Sequence, residues 1–366
     1  MNLLPWQTSP ENYAELFAQK CARVENDMLS VSLPAAQCFS SPPESYRVRA
    51  EFRIWHDEED LNYVMFDPAS PRTPVTITEF APALTPIRQL MPSLRDYLKS
   101  RPTLRRKLFQ AEFMASTTGE LLVTLIYHRA LDDQWEEDGT LLAKEFGVSL
   151  VGRSRKQKRV IGTDFINDEF LVNDRRYRYR QYEQSFVQPN APVNQKMLNW
   201  AWQQSAECSG DLLELYCGNG NFTLPLASQY PSVIATELSK SGTRAALENL
   251  RENTIENVEV VRLSAEEVSQ AMAGVREFRR LASLPKSLNE YDLRTVFVDP
   301  PRAGLDSTTL ECVRQFETII YVSCNPETLK ENIHALKDTH SAESFALFDQ
   351  FPYTHHIESA VILRRA

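Results

Sequence analysis

The chain has 366 residues, 42% of them hydrophobic and 10% aromatic, enough to bury a large core and to make two domains. No run approaches the roughly 18 apolar residues of a membrane span, and no basic segment followed by an apolar one opens the chain, so a cytoplasmic protein with no membrane partner is expected. A net charge of -9 does not by itself suggest a polyanionic partner, and six scattered cysteines without a C-x-x-C pair argue against zinc, an iron–sulfur cluster or a disulfide framework.

Residues 11–29 carry apolar positions at helical spacing and predict one amphipathic helix. From Tyr46 to Trp55 the chain alternates strictly, predicting a half-solvated antiparallel strand with Arg47, Arg49, Glu51 and Arg53 on one face. Residues 61–66 and 75–80 are candidate partner strands, and residues 82–97 read as a helix entered through Thr85-Pro86. Residues 104–114 and 121–127 form a predicted hairpin turning at Thr117-Thr118-Gly119-Glu120, with Phe109 in one strand and His128 ending the other. A helix over 135–146, closed by Gly147, and short strands over 148–151 and 170–172 complete a mixed, β-rich α+β unit.

Basic residues cluster in this first part. Residues 1–190 hold 24 Lys and Arg against 26 Asp and Glu, whereas residues 191–366 hold 16 against 23. Lys99 to Lys107, Arg153 to Arg159 and Arg175-Arg176-Tyr177-Arg178-Tyr179-Arg180 are the dense runs. Local basic stripes on an acidic protein suit a phosphate backbone, and Arg interleaved with Tyr points to RNA, whose unpaired bases stack on aromatics. A solvated face balancing nearby acids is the plainer alternative.

The pattern changes near residue 185, which sets expected domains of 1–184 for RNA binding and 185–366 for catalysis. After a helix over 196–206, apolar strands and helical patterns alternate: 212–216, 224–229, 233–236, 241–253, 258–263 and 265–272. Strands over 295–298 and 318–322 continue the rhythm of a parallel, doubly wound Rossmann-like sheet. Residues 345–348 and 359–363, with no helix between them, predict a closing antiparallel hairpin.

Chemistry gathers at the strand ends. Glu214-Leu215-Tyr216-Cys217-Gly218-Asn219-Gly220-Asn221 is a strand running into a glycine turn, which lets a ligand approach the backbone closely. Thr223 occupies the place of the third dinucleotide-binding glycine. With Glu214 before the turn and Glu237, 23 positions later, placed to reach ribose hydroxyls, the pattern looks like an S-adenosyl-L-methionine site rather than a nicotinamide site. Asp299-Pro300-Pro301-Arg302 sets an acid on a rigid turn, and Arg302 in place of an aromatic argues against chemistry on an exocyclic amine. Tyr321-Val322-Ser323-Cys324-Asn325-Pro326 ends a buried strand on a thiol, and His355-His356-Ile357-Glu358 sets a carboxylate before the last strand. Carbon 5 of uracil becomes nucleophilic only after a thiolate adds to carbon 6, and a base must then remove the carbon 5 proton. A Cys and a distant carboxylate are what that reaction needs.

In these motifs the chain resembles the RNA uracil-5-methyltransferase family, and by overall layout its bacterial tRNA-modifying branch. The resemblance implies methylation of uracil carbon 5 in the T loop of tRNA, forming ribothymidine, with Cys324 as nucleophile and Glu358 as base. It further implies cofactor contacts at Gln188, Tyr216, Asn221, Glu237 and Asp299, beside the turn glycine Gly218. Arg302 is a candidate substrate contact, and Phe109 and His128 are candidates for stacking on bases splayed from the T-arm stem-loop. The cysteine cluster and appended barrel common in ribosomal RNA relatives are missing, which favours tRNA. The rival readings are a cytosine-5 RNA methyltransferase, which normally shows Pro-Cys instead of Asp-Pro-Pro-Arg, and a non-catalytic RNA-binding or folding module.

Overall fold

The computed structural model describes residues 3–366 apart from residues 59 and 68. The chain opens with α1 (Tyr13–Asp27) and β1 (Gln37–Phe39), then runs through β2 (Arg49–Asp57), β3 (Asp60–Asp67), β4 (Ser70–Thr76), α2 (Thr85–Lys99) and the single turn α3 (Pro102–Arg105). It continues with β5 (Leu108–Ala115), β6 (Leu121–Tyr127), α4 (Asp133–Phe146), β7 (Ser149–Ser154) and β8 (Gln157–Ile161). These strands, β1 excepted, form one seven-stranded sheet in the order β4-β3-β2-β5-β6-β7-β8, with β7 parallel to β6. The alternation of β2 is realised: Phe52 and Ile54 are buried while Glu51, Arg53 and Trp55 are exposed. Phe52, Tyr63 and Phe113 meet Leu94 and Leu98 of α2 and Trp135 of α4 in one core. The Asp132 side chain caps α4 by accepting from Trp135 N, and Gly147 ends it at φ 63°.

Two expectations shift here. The strand expected over 75–80 ends at Thr76, because Ile77 and Phe80 are both buried and an alternating strand cannot turn residues three apart to one face. Residues 102–105 form a helical turn started by Pro102, so the hairpin begins at Leu108.

A two-stranded hairpin follows, β9 (Phe165–Val172) and β10 (Arg175–Tyr182), turning through Asn173 and Asp174 at positive φ. It turns Ile166, Phe170, Tyr177 and Tyr179 into a core continuous with both the first sheet and the sheet that follows. Arg176 and Arg178 face outward, so the Arg–Tyr alternation is a strand with tyrosines inside. That corrects the reading of this run as RNA-stacking aromatics: Tyr177 and Tyr179 are each 1% exposed.

The second half comprises α5 (Ala191–Gln204), β11 (Asp211–Leu215), α6 (Thr223–Leu226), β12 (Val233–Thr236), α7 (Lys240–Glu252), β13 (Val258–Val261) and α8 (Ala265–Met272). Then come β14 (Leu293–Val298), α9 (Ser307–Val313), β15 (Thr318–Ser323), α10 (Pro326–Leu336), β16 (His340–Phe348) and β17 (Glu358–Arg365). Strands β11 to β15 are parallel, β17 lies antiparallel between β15 and β16, and β11, β12 and β15 are wholly buried, as a sheet covered on both faces requires. The order is β1-β16-β17-β15-β14-β11-β12-β13. The eighth strand is therefore residues 37–39, parallel to β16, a long-range pairing the local pattern does not reveal.

Candidate active site

Registers place the chemistry-bearing residues along one edge of the second sheet. Leu215 pairs with Thr236 and with Val298, so Tyr216, Glu237 and Asp299 follow strands that end at the same level. Val298 pairs with Tyr321, which sets Cys324 about two residues, roughly 6–7 Å, farther along the strand direction than Asp299. Ser323 pairs with Ser359 in the antiparallel ladder of β15 and β17. One step beyond that pair stand Cys324 and Glu358, side by side across neighbouring strand ends. The Asn325 side chain accepts from Glu327 N and Pro326 opens α10, so Cys324 sits where a strand turns abruptly into a helix.

The glycine turn is shaped for a ligand. Tyr216 and Gly218 have positive φ (64° and 59°), and no atom lies within 4 Å of where a Gly218 side chain would begin. Gly218 N donates to Glu237 Oε2 (3.0 Å) while Glu237 Oε1 accepts from Ser239 N (2.6 Å), which orients that carboxylate beside the turn. A Cβ on Gly242 would approach Glu237 Cγ to 2.9 Å, so glycine there lets α7 pass under Glu237. Asn221 faces Asn194 of α5 in a reciprocal amide pair (2.9 and 3.0 Å), and its carbonyl accepts from Tyr179 Oη. Gln188 Oε1 accepts from Gln350 in the loop between β16 and β17 (3.2 Å).

Carboxyls dominate the electrostatics. Burial pushes Glu358 up to about 8, with Asp299 adding to the effect, and burial alone pushes Asp299 up to about 7. Glu214 rises to about 8 for the same first reason, again aided by Asp299, and its Oε2 is buried without a hydrogen-bond partner. The half-buried Cys324 thiol is pushed up to about 11 by burial, then by Glu358 and Asp299, while Arg302 pulls it down slightly. A cation beside these acids would favour their ionised forms, and the sulfonium of S-adenosylmethionine carries one. The orphaned Glu214 oxygen, the open space at Gly218 and the held Glu237 carboxylate all fit that cofactor. In the sequence Glu214, ahead of the turn, forms part of the cofactor pattern but is assigned no cofactor contact. Exposed Arg302 is tied to the Cys324 turn through its carbonyl, which accepts from Asn325 Nδ2 (3.1 Å).

The basic runs divide. Arg153 pairs with Glu183, Lys158 with Asp164, Arg159 with Glu136 and Asp133, and Arg178 with Glu169. Asn249 of α7 and Asn253, which follows it, bond the backbone of Arg180 and Arg178, docking β10 on the second unit. In the cleft of about 690 Å³ lined with Phe109 and His128, Lys99 pairs with Asp60 and Arg105 donates to the Glu58 and Asp60 carbonyls, whereas Arg106 and Lys107 meet no carboxylate among the described residues. The Phe109 ring stacks on His128 at 4.0 Å and carries Arg53 at 3.8 Å, so both its faces are taken and His128 is the exposed ring of the pair.

The sheet order, the glycine turn and its two flanking acids define a Rossmann-like, S-adenosylmethionine-dependent methyltransferase. The family model described as tRNA (Uracil-5-)-methyltransferase matches residues 12–366. A tRNA/tmRNA (uracil-C(5))-methyltransferase of Dechloromonas aromatica is 51% identical over 356 residues, 97% of this chain and 98% of the relative. One of the same name from Pseudomonas paraeruginosa is 52% identical over 361 residues, covering 98% and 99%. The chain belongs to the tRNA (uracil-5-)-methyltransferase family. The fold agrees: the crystal structure of Pyrococcus abyssi tRNA (uracil-54, C5)-methyltransferase, in complex with S-adenosyl-L-homocysteine, superposes with a TM-score of 0.74 at 20% identity, covering 96% of this chain and 83% of that one.

Proposed function

We propose that this enzyme methylates carbon 5 of a uracil in the T loop of tRNA, in the cytoplasm, through a covalent adduct on Cys324. The observation that carries the reading is the β15–β17 register, which sets Cys324 beside Glu358 with Asp299 within electrostatic reach of both. Residues 1–184 grip the stem-loop and residues 185–366 react with the flipped base, with β1 as the part of the first stretch built into the second sheet. Gly218, Glu237, Tyr216, Asn221, Gln188 and Asp299 hold the cofactor, which supplies an electrophilic methyl group to carbon 5.

Cys324 Sγ, as thiolate, adds to carbon 6, and the carbon 5–carbon 6 π electrons move onto the ring's enolate oxygen. Once carbon 5 carries the methyl group, Glu358 removes its proton. That C–H electron pair re-forms the double bond, and the carbon 6–sulfur electrons return to Cys324. A carboxylate whose pKa burial has raised is a stronger base than an ordinary glutamate, so the cost of burying Glu358 favours proton removal. Arg302 and Asp299 orient the ring, and His128, backed by Phe109, stacks on a splayed base.

The test uses T-arm RNA with 5-fluorouridine at the target. Fluorine cannot leave as a cation, so a methylated protein–RNA adduct should accumulate with the native enzyme and be missing with Cys324→Ala, whose turnover should fall by at least roughly 10⁴-fold. Adduct in the Cys324→Ala variant would remove the assignment. Cytidine at the target position should give no product.

A further inference from the structure

Lys20 of α1 is 8% exposed, an unusual place for an ammonium. It donates to Asp349 Oδ1 (2.6 Å), to the Phe351 carbonyl (2.9 Å) and to the His356 carbonyl (3.0 Å). An ammonium has three donors, and all three go to the one loop that joins β16 to β17. Phe348 and Glu358 are ladder partners at the root of that loop. Lys20 therefore ties the arm leaving Phe348 to the arm arriving at Glu358. Neighbouring contacts reinforce the tie: Tyr13 Oη donates to Asp349 Oδ2 (2.7 Å), and Arg23 donates to the His355 carbonyl (2.5 Å). A buried ion pair contributes little more stability than apolar residues of the same volume, so this one is better understood through the geometry it imposes.

We infer that Lys20 is a positioning residue for Glu358, holding its carboxylate for removal of the carbon 5 proton and taking no part in thiol addition. The inference rests on the assignment of Glu358 as the base. Loosening the loop should slow elimination, in which the carbon 5 proton goes to Glu358 and the carbon 6–sulfur electrons return to Cys324. Methylated RNA would then stay attached to Cys324 even with an ordinary uridine, an outcome a general loss of folding cannot produce.

The experiment is a single turnover of the full-length enzyme with methyl-labelled cofactor and unmodified tRNA, resolved on a denaturing gel. The variants are Lys20→Met and, because an unpaired Asp349 could unfold the first, the neutral pair Lys20→Met/Asp349→Asn. Both should release product roughly 10- to 100-fold more slowly while the labelled adduct builds up. Glu358→Gln serves as reference and should trap adduct outright. Turnover at the native rate, or slow turnover without adduct while Glu358→Gln traps it, overturns the role of Lys20. No adduct in Glu358→Gln either would overturn the base assignment, and the inference with it.

Discussion

Arg153, Lys158, Arg159 and Arg178 each meet a carboxylate, and the tyrosines between the arginines of β10 are buried. Around Phe109 and His128, among the described residues, Arg106 and Lys107 line an open cleft and no carboxylate pairs with them. The two regions have similar composition and different settings: the first is neutralised by carboxylates of its own unit, whereas Arg106 and Lys107 are left open to an anion. A third set of acids, Glu214, Asp299 and Glu358, has raised pKa values and, among the described residues, no salt-bridge partner, and it lies at the edge proposed to react. Pairing, rather than charge count, separates the charges fixed within the fold from those left open.

The contrast can be broken first at the acids. If Glu358 must be ionised to accept the carbon 5 proton, the rate at which the methylated adduct breaks down in a single turnover should climb about tenfold per pH unit below about 8, then flatten. A flat profile from pH 6 to 9 would mean another base. Reversing charge in the open cleft, Arg106→Glu with Lys107→Glu, should weaken tRNA binding by about tenfold or more and lower the salt slope by about 2, leaving cofactor affinity unchanged. Filter binding across a salt series measures both.

Smaller effects test the paired side and the edge itself. Glu214 has a folded-state pKa raised above its unfolded value, so its protonated form favours the fold at low pH and that share is lost as pH rises through about 8. Glu214→Gln should therefore show a smaller fall in Tm between pH 6 and pH 9 than the native protein. Arg178→Gln, which removes an exposed pair with Glu169, should cost at most about 1 kcal/mol and barely alter tRNA affinity. A tenfold loss of affinity there would show that β10 touches RNA after all.

Much of the edge was legible beforehand because its signals are local. Asp299-Pro300-Pro301, Cys324-Asn325-Pro326 and the Gly218 turn each combine a strand end with a breaker, and the closing hairpin was readable from two apolar runs without a helix between them. The pairing of β1 with β16 and the three bonds of Lys20 join residues more than 300 positions apart, and no local period reports such contacts. The Arg–Tyr run misled for a related reason. Alternation announced a strand but not which face another unit would cover, and the hairpin's burial depends on packing against the following sheet.

Because β1 is laid beside β16, and β16 reaches the other strands only through β17, the second sheet is completed only when residues 340–365 emerge from the ribosome, about 300 positions after β1. At ordinary elongation rates that interval lasts roughly 15 to 60 s. For that time residues 37–39 have no sheet to join, and a nascent chain stalled before residue 340 would hold an assembled first sheet beside an unfinished second one.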